Sequence, residues 1–577
     1  MELKELRKRN NFTQQECAEM FNVSRRTYQS IENRESDSDE DKYNYFCEVL
    51  ESNLAAANNE SENKLKTNVT TGDGLVKFID KIRSYNSRYL IKYLEDYISN
   101  DYGPRVCVLY GLRRTGKTTM LFQLLCDLDL TRTAYIKLDI NNTMGDLISD
   151  INTLYAKGIK YLLIDEVTLL EDFINTSATL SDIYCAKGMK IILSGTDSLG
   201  FAFAQQDELY DRCLMVHTSY ISYKEFSSVL GIKDIDEYIE YGGTMKKENK
   251  KYSDAAFNGD DLAFKSDEST RKYIDTAICS NIQRSLKNTK FGARFAYVKE
   301  LFDQNELTNA INRVVEDMNH DFLVSVVTEK FKSHDLGSAR QMLTFSKLKK
   351  VQTALYDIDE NKVLDSLKNI IGVKEKEQLK VQVTQEMVKQ IKEYLYMLDL
   401  IQDVEVRYGD GRIVKRPIFS QPGMRYSITK ALVYSLQNDA YIQSLSPAEQ
   451  SYIFEKIMSD VKGRMLEDIV LLERTRNKKP NEMVFKYITF DKGEYDMVVY
   501  DYDTNSFELY EIKHTKTEAI DYQAKNINNA ELFKQLSKGV GEIKDKCILY
   551  RGDHLEKKGI SFLRVEYYLE ELGPNKY

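Results

Sequence analysis

The sequence predicts a multidomain α/β protein: a small helical unit, a P-loop α/β core, a largely helical middle region ending in a helix and hairpin, and a C-terminal α/β unit. Three observations carry that reading. A glycine-rich phosphate motif stands between an apolar strand and an apolar helix in VCVLYGLRRTGKTTMLFQLL. Two short, capped helical patterns open the chain, and alternating strands separated by a tight turn, GEYDMVVYDYDTNSFELYEIK, lie near its end. At 577 residues the chain is also too long for one core, and ordinary domain sizes give roughly three to four units.

Composition narrows the function classes. Hydrophobic residues make up 42% of the chain, enough to build several cores, so a disordered chain is excluded. The net charge of -9 excludes a protein coated in basic surface and confines any nucleic-acid contact to a local patch. Eight cysteines lie scattered without CxxC pairs, which offers neither a zinc site nor a disulfide framework and suits a reducing compartment. The opening MELKELRKRNN lacks an apolar leader, and no apolar run approaches the length of a membrane span. The expectation is a soluble, cytoplasmic protein with no membrane partner.

Residues 1–52 form the first expected unit. In FTQQECAEMFNVSRRTYQSIENRES the apolar or small residues Phe12, Cys17, Ala18, Phe21, Val23, Tyr28 and Ile31 are spaced for two helices packed across a turn, with Thr13 and Ser24 as N-caps. This segment resembles the phage-repressor, Cro-like helix-turn-helix family. The resemblance implies a recognition helix from Ser24 to Glu32 presenting Arg25, Arg26 and Gln29 to base edges in the major groove of DNA. A small helical bundle that binds protein is the alternative. SDSDEDK and SNLAAANNESENKLKTNVTTGDG then read as an acidic patch and a polar linker, bounded as 53–75.

Residues 76–225 are expected to be the ATPase core. Gly111 and Gly116 let backbone N–H groups approach phosphates, Lys117 reaches the β and γ oxygens, and Thr118, followed by Thr119, supplies a hydroxyl to Mg²⁺. Downstream, KYLLIDEV is an apolar strand ending in Asp165 and Glu166; the first can hold the Mg²⁺ shell and the second can polarise the attacking water. KIILSGTDS ends in Ser194 and Thr196, either sensors of the γ-phosphate or plain turn residues. Arg212 precedes a further apolar strand and is either a γ-phosphate finger or a surface ion pair. Between Leu75 and His514 this order of motifs, GLRRTGKTT, LLIDEV, SGT and DR before the last core strand, resembles a prokaryotic group of AAA-like ATPases with a C-terminal nuclease-like domain. Asp211 stands where that group usually has glycine, which leaves the role of Arg212 open.

The middle region divides into a helical lid with a charged insert, 226–330, and a helical and winged-helix-like region, 331–440. KKENKKYSDAAFNGDDLAFKSDEST reads as an irregular surface loop. Val388, Ile391, Tyr394, Leu395 and Leu398 are spaced as one helix face, and QDVEVRY, the turn GDG and a following strand complete a helix and wing. FSQPGMRYSI is similar to the closing strand of such a wing in the resembled group. DNA contact and packing between domains are both open to it.

In the last unit, 441–577, the tripeptide Glu511-Ile512-Lys513 has no meaning alone, since ExK recurs at Glu2, Glu360 and elsewhere. Context changes that. Asp496 begins the preceding apolar strand, TNS makes the turn, and Asp496 and Glu511 thereby face each other across a hairpin beside Lys513. Two carboxylates and a lysine on a half-buried sheet are costly unless a cation joins them. The arrangement resembles the PD-(D/E)XK fold of restriction-endonuclease-like proteins, which implies Mg²⁺ on Asp496 and Glu511 and a water oriented by Lys513. Glu467, on the helix GRMLEDIVLLERTR, sits where that family carries a further metal ligand, although a glutamate there is equally a solvated one. Gln523 lies just beyond the strand and is not counted in the site.

Together these features predict an ATP-hydrolysing, DNA-binding homo-oligomer in which the nucleotide state controls a nuclease using Mg²⁺ or Mn²⁺, in a setting such as defence against phage or mobile DNA. The alternative is a non-cutting ATPase switch or transcriptional regulator with a silent nuclease-like domain. A third reading is a scaffold for a protein partner.

Overall fold

The computed structural model describes residues 2–9, 12–35, 40–62, 65–170, 173, 177–196, 200–201, 209–245, 264, 266–286, 295–332, 359–378, 383–517 and 524–573. Side chains at 52–62, 284–285, 329–332, 360 and 372–378 are outside that description. Residues 246–263 of the expected charged loop, residues 36–39 of the acidic patch, and Gln523 therefore lie outside the described residues.

Of the N-terminal helices Leu3–Arg9, Gln14–Met20 and Arg25–Glu32, the last two begin where the caps Thr13 and Ser24 predict. Thr13 and Glu16 form a reciprocal capping box, and the Ser24 hydroxyl accepts from Thr27 N–H. Buried Glu32 joins the three helices, accepting from Arg7 Nε and from Gln14 Nε2, each at 2.6 Å. A fourth helix, Glu40–Glu62, closes this core by stacking Phe46 on Phe21 with ring centroids 3.8 Å apart.

That helix corrects the expected linker. Of residues 53–75, those up to Glu62 are helical, Asn68–Thr71 is a strand, and a further helix starts at Asp73. Asn, Ser and Glu give this segment a loop-like composition, yet it is helical up to Glu62. The alanines at 55–57 favour helix, and neither Gly nor Pro interrupts the segment before Gly72.

The ATPase sheet has six strands, β1 Asn68–Thr71, β2 Val106–Tyr110, β3 Thr133–Lys137, β4 Tyr161–Asp165, β5 Lys190–Gly195 and β6 Cys213–His217, in the order β1-β3-β4-β5-β2-β6. All neighbours are parallel except β1 and β3. Burial on both faces explains why β2, β4 and β5 read as continuous apolar runs. The carboxyl ends of β2, β4 and β5 fall on one edge, where an open parallel sheet receives its ligand.

The C-terminal sheet has eight strands: β7 Ile401–Tyr408, β8 Ile413–Phe419, β9 Glu482–Thr489, β10 Gly493–Asp501, β11 Ser506–Ile512, β12 Glu542–Tyr550, β13 Leu555–Lys557 and β14 Ile560–Arg564. Their order is β13-β14-β12-β11-β10-β9-β7-β8. The hairpin read as a wing is therefore not a separate module. β7 runs parallel to β9 through Val406, Arg407 and Tyr408, so β7 and β8 extend the sheet that carries Asp496 and Glu511. Nor does MRYSI form a closing strand. It lies in the helix Pro422–Ser435, which Pro422 opens in its first turn.

The long helix Pro447–Arg476 packs against this sheet and against the end of the ATPase region. One hydrophobic core accordingly runs from Tyr223, Phe226 and Tyr238 through Leu466 and Val470 to Met497, Ile512 and Leu549. Within it, Glu473 accepts from Tyr223 N–H at 2.7 Å and from the Tyr238 hydroxyl at 3.1 Å. Burial pushes its carboxyl up from 4.5 to about 7. Among the described residues no helix is long and apolar enough to cross a membrane.

The raised value of Glu473 fixes a sign. Folding favours its protonated form, so its contribution is present below the ordinary carboxylate range and is lost as pH rises through about 7. Glu473→Gln keeps an acceptor and cannot ionise. It is expected to raise the Tm above wild type by a few degrees on the alkaline side of that range and to match wild type on the acid side. Thermal denaturation across that range checks this, and coincident curves at alkaline pH contradict it.

Candidate functional site

The nucleotide site is built on the turn between β2 and the helix Lys117–Leu124. Gly111 has φ +140°, and a Cβ there would lie 2.3 Å from the Thr218 carbonyl oxygen, so only glycine fits. Lys117 is buried and donates to the carbonyls of Gly111 at 2.9 Å and Leu112 at 2.7 Å. Burial lowers its ammonium to about 8, against the opposing pull of Glu166 and Asp165. Thr118 Oγ1 donates to Asp165 Oδ2 at 2.8 Å, so the hydroxyl and carboxylate expected to share Mg²⁺ are already side by side. Thr119 follows in the first turn of that helix.

Glu166 has φ +61°, a left-handed backbone that a glutamate adopts at a cost and that recurs at functional sites. Strand β5 lies between β4 and β2 and brings Ser194 to the same edge. Among the described residues the buried hydroxyls of Ser194 and Thr196 have no hydrogen-bond partner, while Asn281 Nδ2 holds the Thr196 carbonyl at 3.0 Å. Unpartnered buried hydroxyls at a phosphate-binding edge are groups that a phosphate or an ordered water would satisfy. Beside them, a Cβ on Gly195 would come within 2.8 Å of Thr168 Oγ1.

Of the two readings of Arg212, the surface ion pair is the one seen. Its backbone carbonyl accepts from Val106 N–H at 3.0 Å, at the beginning of β2 and β6, whereas the phosphate loop follows the end of β2. A five-residue strand, roughly 16 Å, separates the two ends. Arg212 Nε instead donates to Asp182 Oδ1 at 2.8 Å, so this side chain does not reach its own chain's phosphate loop. Asp211, in the place of the usual glycine, keeps a left-handed backbone with φ +55° and pairs with Arg105 at 2.7 Å.

Sequence reasoning missed Arg88. It is 2% exposed and makes a fork to Glu225 at 3.0 and 2.6 Å, while its NH1 donates to the Thr115 carbonyl inside the phosphate loop at 2.8 Å. No local pattern in SRYLIKYL marks it, because all of these partners are distant in sequence. A second brace lies opposite, where Met245 N–H donates to the Arg114 carbonyl at 2.7 Å.

The second cluster lies in the C-terminal sheet. Asp496 and Glu511, both buried, are joined by Lys513 Nζ at 3.1 Å from Asp496 Oδ2 and 2.8 Å from Glu511 Oε2. Asp496 Oδ2 also accepts from Ile512 N–H at 2.8 Å. Burial opposes the charge on Asp496, but Lys513 and then Lys486 hold its carboxyl well below the usual range. Glu511 is pushed the other way, to about 8, by burial and then by the Asp496 carboxylate, and its buried Oε1 has no hydrogen-bond partner among the described residues. Glu467 does not meet this pair directly. Its Oε2 accepts from Arg464 at 3.1 Å and from Lys486 at 3.1 Å. Among the described residues no three of His, Cys, Asp and Glu are gathered as a metal ion would require. The orphaned Glu511 oxygen beside a second carboxylate nevertheless suits a cation.

On the helix Arg25–Glu32, Arg25, Arg26 and Gln29 are all exposed.

Comparison with known proteins bears on the segment that carries the phosphate loop and on the N-terminal helices. Residues 103–227 match the family described as AAA domain, and residues 3–42 match the family described as helix-turn-helix. The chain thus joins a helix-turn-helix to an ATPase-like AAA domain, the combination of a DNA-binding ATPase. No curated protein matches it. Among solved structures it is similar to the Orc1 protein of Aeropyrum pernix in complex with DNA, at 12% identity over 62% of this chain and 92% of that one, with a TM-score of 0.19. A score so low carries no argument about fold.

Replacing Arg88 tests the brace on the phosphate loop. Arg88→Ala leaves Glu225 without its cation and is expected to cost about 3–5 kcal/mol of stability. ATP affinity, measured by calorimetry below the melting range, is expected to fall with it, and wild-type affinity would contradict the assignment.

Proposed function

We propose that the protein is an ATP-hydrolysing, DNA-binding enzyme whose C-terminal sheet is a metal-dependent nuclease controlled by the nucleotide state of the AAA domain. The observation that carries the nuclease reading is the cluster of Asp496, Glu511 and Lys513, with a buried, unpartnered Glu511 oxygen, at the end of a hairpin.

At the AAA domain, Lys117 leaves the loop carbonyls to meet the β and γ oxygens of ATP, and the N–H groups from Gly111 to Thr119 surround the phosphates. Thr118 and Asp165 would hold Mg²⁺. Glu166 orients the attacking water and receives its proton, and Ser194 donates to the γ-phosphate. Arg212 serves the site of a neighbouring subunit, so the working form is a homo-oligomer. Support for that role is its place at the far edge of the sheet and its partial exposure.

At the C-terminal cluster Asp496 and Glu511, with Glu467 nearby, would hold Mg²⁺ or Mn²⁺, which when bound supplies Lewis-acid activation of a phosphodiester and of a water. Lys513 stays protonated beside Asp496, whose carboxylate favours its charge against burial. It therefore acts as a hydrogen-bond donor that orients the water, and not as a base. Glu511 holds a proton near neutral pH and gives it up when a cation binds.

Control by ATP rests on the link between the sites. Arg88 ties the phosphate loop to Glu225 on the helix Tyr223–Leu230, and the first N–H of that helix is held by Glu473 on the helix that also carries Glu467. Arg25, Arg26 and Gln29 place the assembly on DNA. Defence against phage or mobile DNA is the setting this combination fits.

One observation favours the second reading, a non-cutting ATPase switch or transcriptional regulator: Lys486 already stands among the carboxylates. The two readings separate in a cleavage assay on duplex DNA, single-stranded DNA and RNA with Mg²⁺ or Mn²⁺, with and without ATP. Wild type is expected to cut, Lys513→Ala to lose at least a hundredfold in rate, and Lys117→Ala to lose the response to ATP. ATP hydrolysis without cleavage of any substrate rejects the nuclease. Separately, Arg25→Ala with Arg26→Ala is expected to weaken DNA binding at least tenfold in a filter or anisotropy assay, and unchanged binding removes the helix-turn-helix from that role.

A further inference from the structure

Lys486 is in β9, and its side chain is 1% exposed. The ladder between β9 and β10 shifts register between Tyr495 and Val498, so that Tyr487 faces Tyr495 while Phe485 faces Val498. Lys486 alone thus stands opposite two residues, Asp496 and Met497, as in a β-bulge. The bulge turns Asp496 so that its two oxygens meet different ammonium groups: Oδ2 lies 3.1 Å from Lys513 Nζ and Oδ1 lies 3.6 Å from Lys486 Nζ. Lys486 Nζ is also 3.1 Å from Glu467 Oε2 and 3.2 Å from Glu494 Oε2. A buried ammonium therefore joins a helix carboxylate to a strand carboxylate, the two groups that a divalent cation would otherwise join. Lys513, by contrast, is 31% exposed and lies toward solvent.

We infer that Lys486 is a resident counter-cation that competes with a divalent ion for Glu467 and Asp496 and so sets how tightly the C-terminal cluster takes metal. The inference rests on the proposed metal site but not on cleavage. A silent nuclease whose carboxylates still bind metal would leave it standing. Physically, the three carboxylates of Glu467, Glu494 and Asp496 are matched by the charges of Lys486, Lys513 and Arg464. Removing Lys486 leaves the carboxylates with an excess of negative charge in a buried setting, and a small divalent cation is the natural replacement. The orphaned Oε1 of Glu511 is a further acceptor at the same cluster.

The test uses the full chain without nucleotide or DNA and follows free Mn²⁺ by electron paramagnetic resonance, with the Tm measured in Mn²⁺ and in chelator. Lys486→Gln is expected to bind Mn²⁺ at least tenfold more tightly than wild type and to gain more Tm from Mn²⁺ than wild type gains. Lys486→Arg, which keeps the charge, is expected to stay near wild type in affinity. Adding Asp496→Asn to Lys486→Gln is expected to abolish the gain. If Lys486→Gln folds only in Mn²⁺, as seen by circular dichroism, that also supports the inference. Wild-type affinity in a folded Lys486→Gln protein, a gain that survives Asp496→Asn, or failure to fold in either condition overturns it.

Discussion

A single buried glutamate joins the two chemical centres of this molecule. Glu473 projects from the helix Pro447–Arg476 and receives the first N–H of the helix Tyr223–Leu230 together with the Tyr238 hydroxyl. Two residues along that second helix, Glu225 holds Arg88, and Arg88 holds the phosphate loop through the Thr115 carbonyl. Each bond is short and shielded from water, so no part of the series moves without disturbing the next. The apolar core from Tyr223 to Leu549 surrounds these contacts and makes the ATPase edge and the C-terminal sheet parts of one packed body.

Both candidate centres show the same economy of buried polar groups. At the AAA domain Lys117 and Thr118 are provisionally satisfied by loop carbonyls and Asp165, while the hydroxyls of Ser194 and Thr196 remain without partners. At the C-terminal sheet two lysines neutralise carboxylates from a helix and two strands, and one oxygen of Glu511 is left over. Buried groups of this kind are costly to a fold, and they are retained where a ligand completes them.

What the sequence revealed follows from the range over which each signal acts. The phosphate loop, the Asp165-Glu166 strand end and the caps at Thr13 and Ser24 are local, so each was legible from a few neighbouring residues. The pairing of Asp496 with Glu511 was legible because a short turn fixes the register of its hairpin. Arg88 and Lys486 were not, since their partners lie far away in the chain. The pattern of β7 and β8 is that of any antiparallel hairpin, and nothing in it tells whether it stands alone as a wing or joins β9. Arg212 stayed open between two readings for a related reason: a residue before a strand reads alike whichever edge of the sheet it occupies. Asp211 shows that a departure from a motif can preserve its conformation, here a left-handed turn that aspartate tolerates.

The central claim is that the nucleotide site and the C-terminal cluster are mechanically one unit. Amide hydrogen exchange of the Glu166→Gln protein, with and without ATP and Mg²⁺, tests it directly. The series through Arg88, Glu225 and Glu473 predicts that ATP changes exchange at the start of the helix Tyr223–Leu230 and in the last turns of Pro447–Arg476, as well as around Gly111 to Thr119. A change confined to the phosphate loop and the ends of β4 and β5 would contradict it.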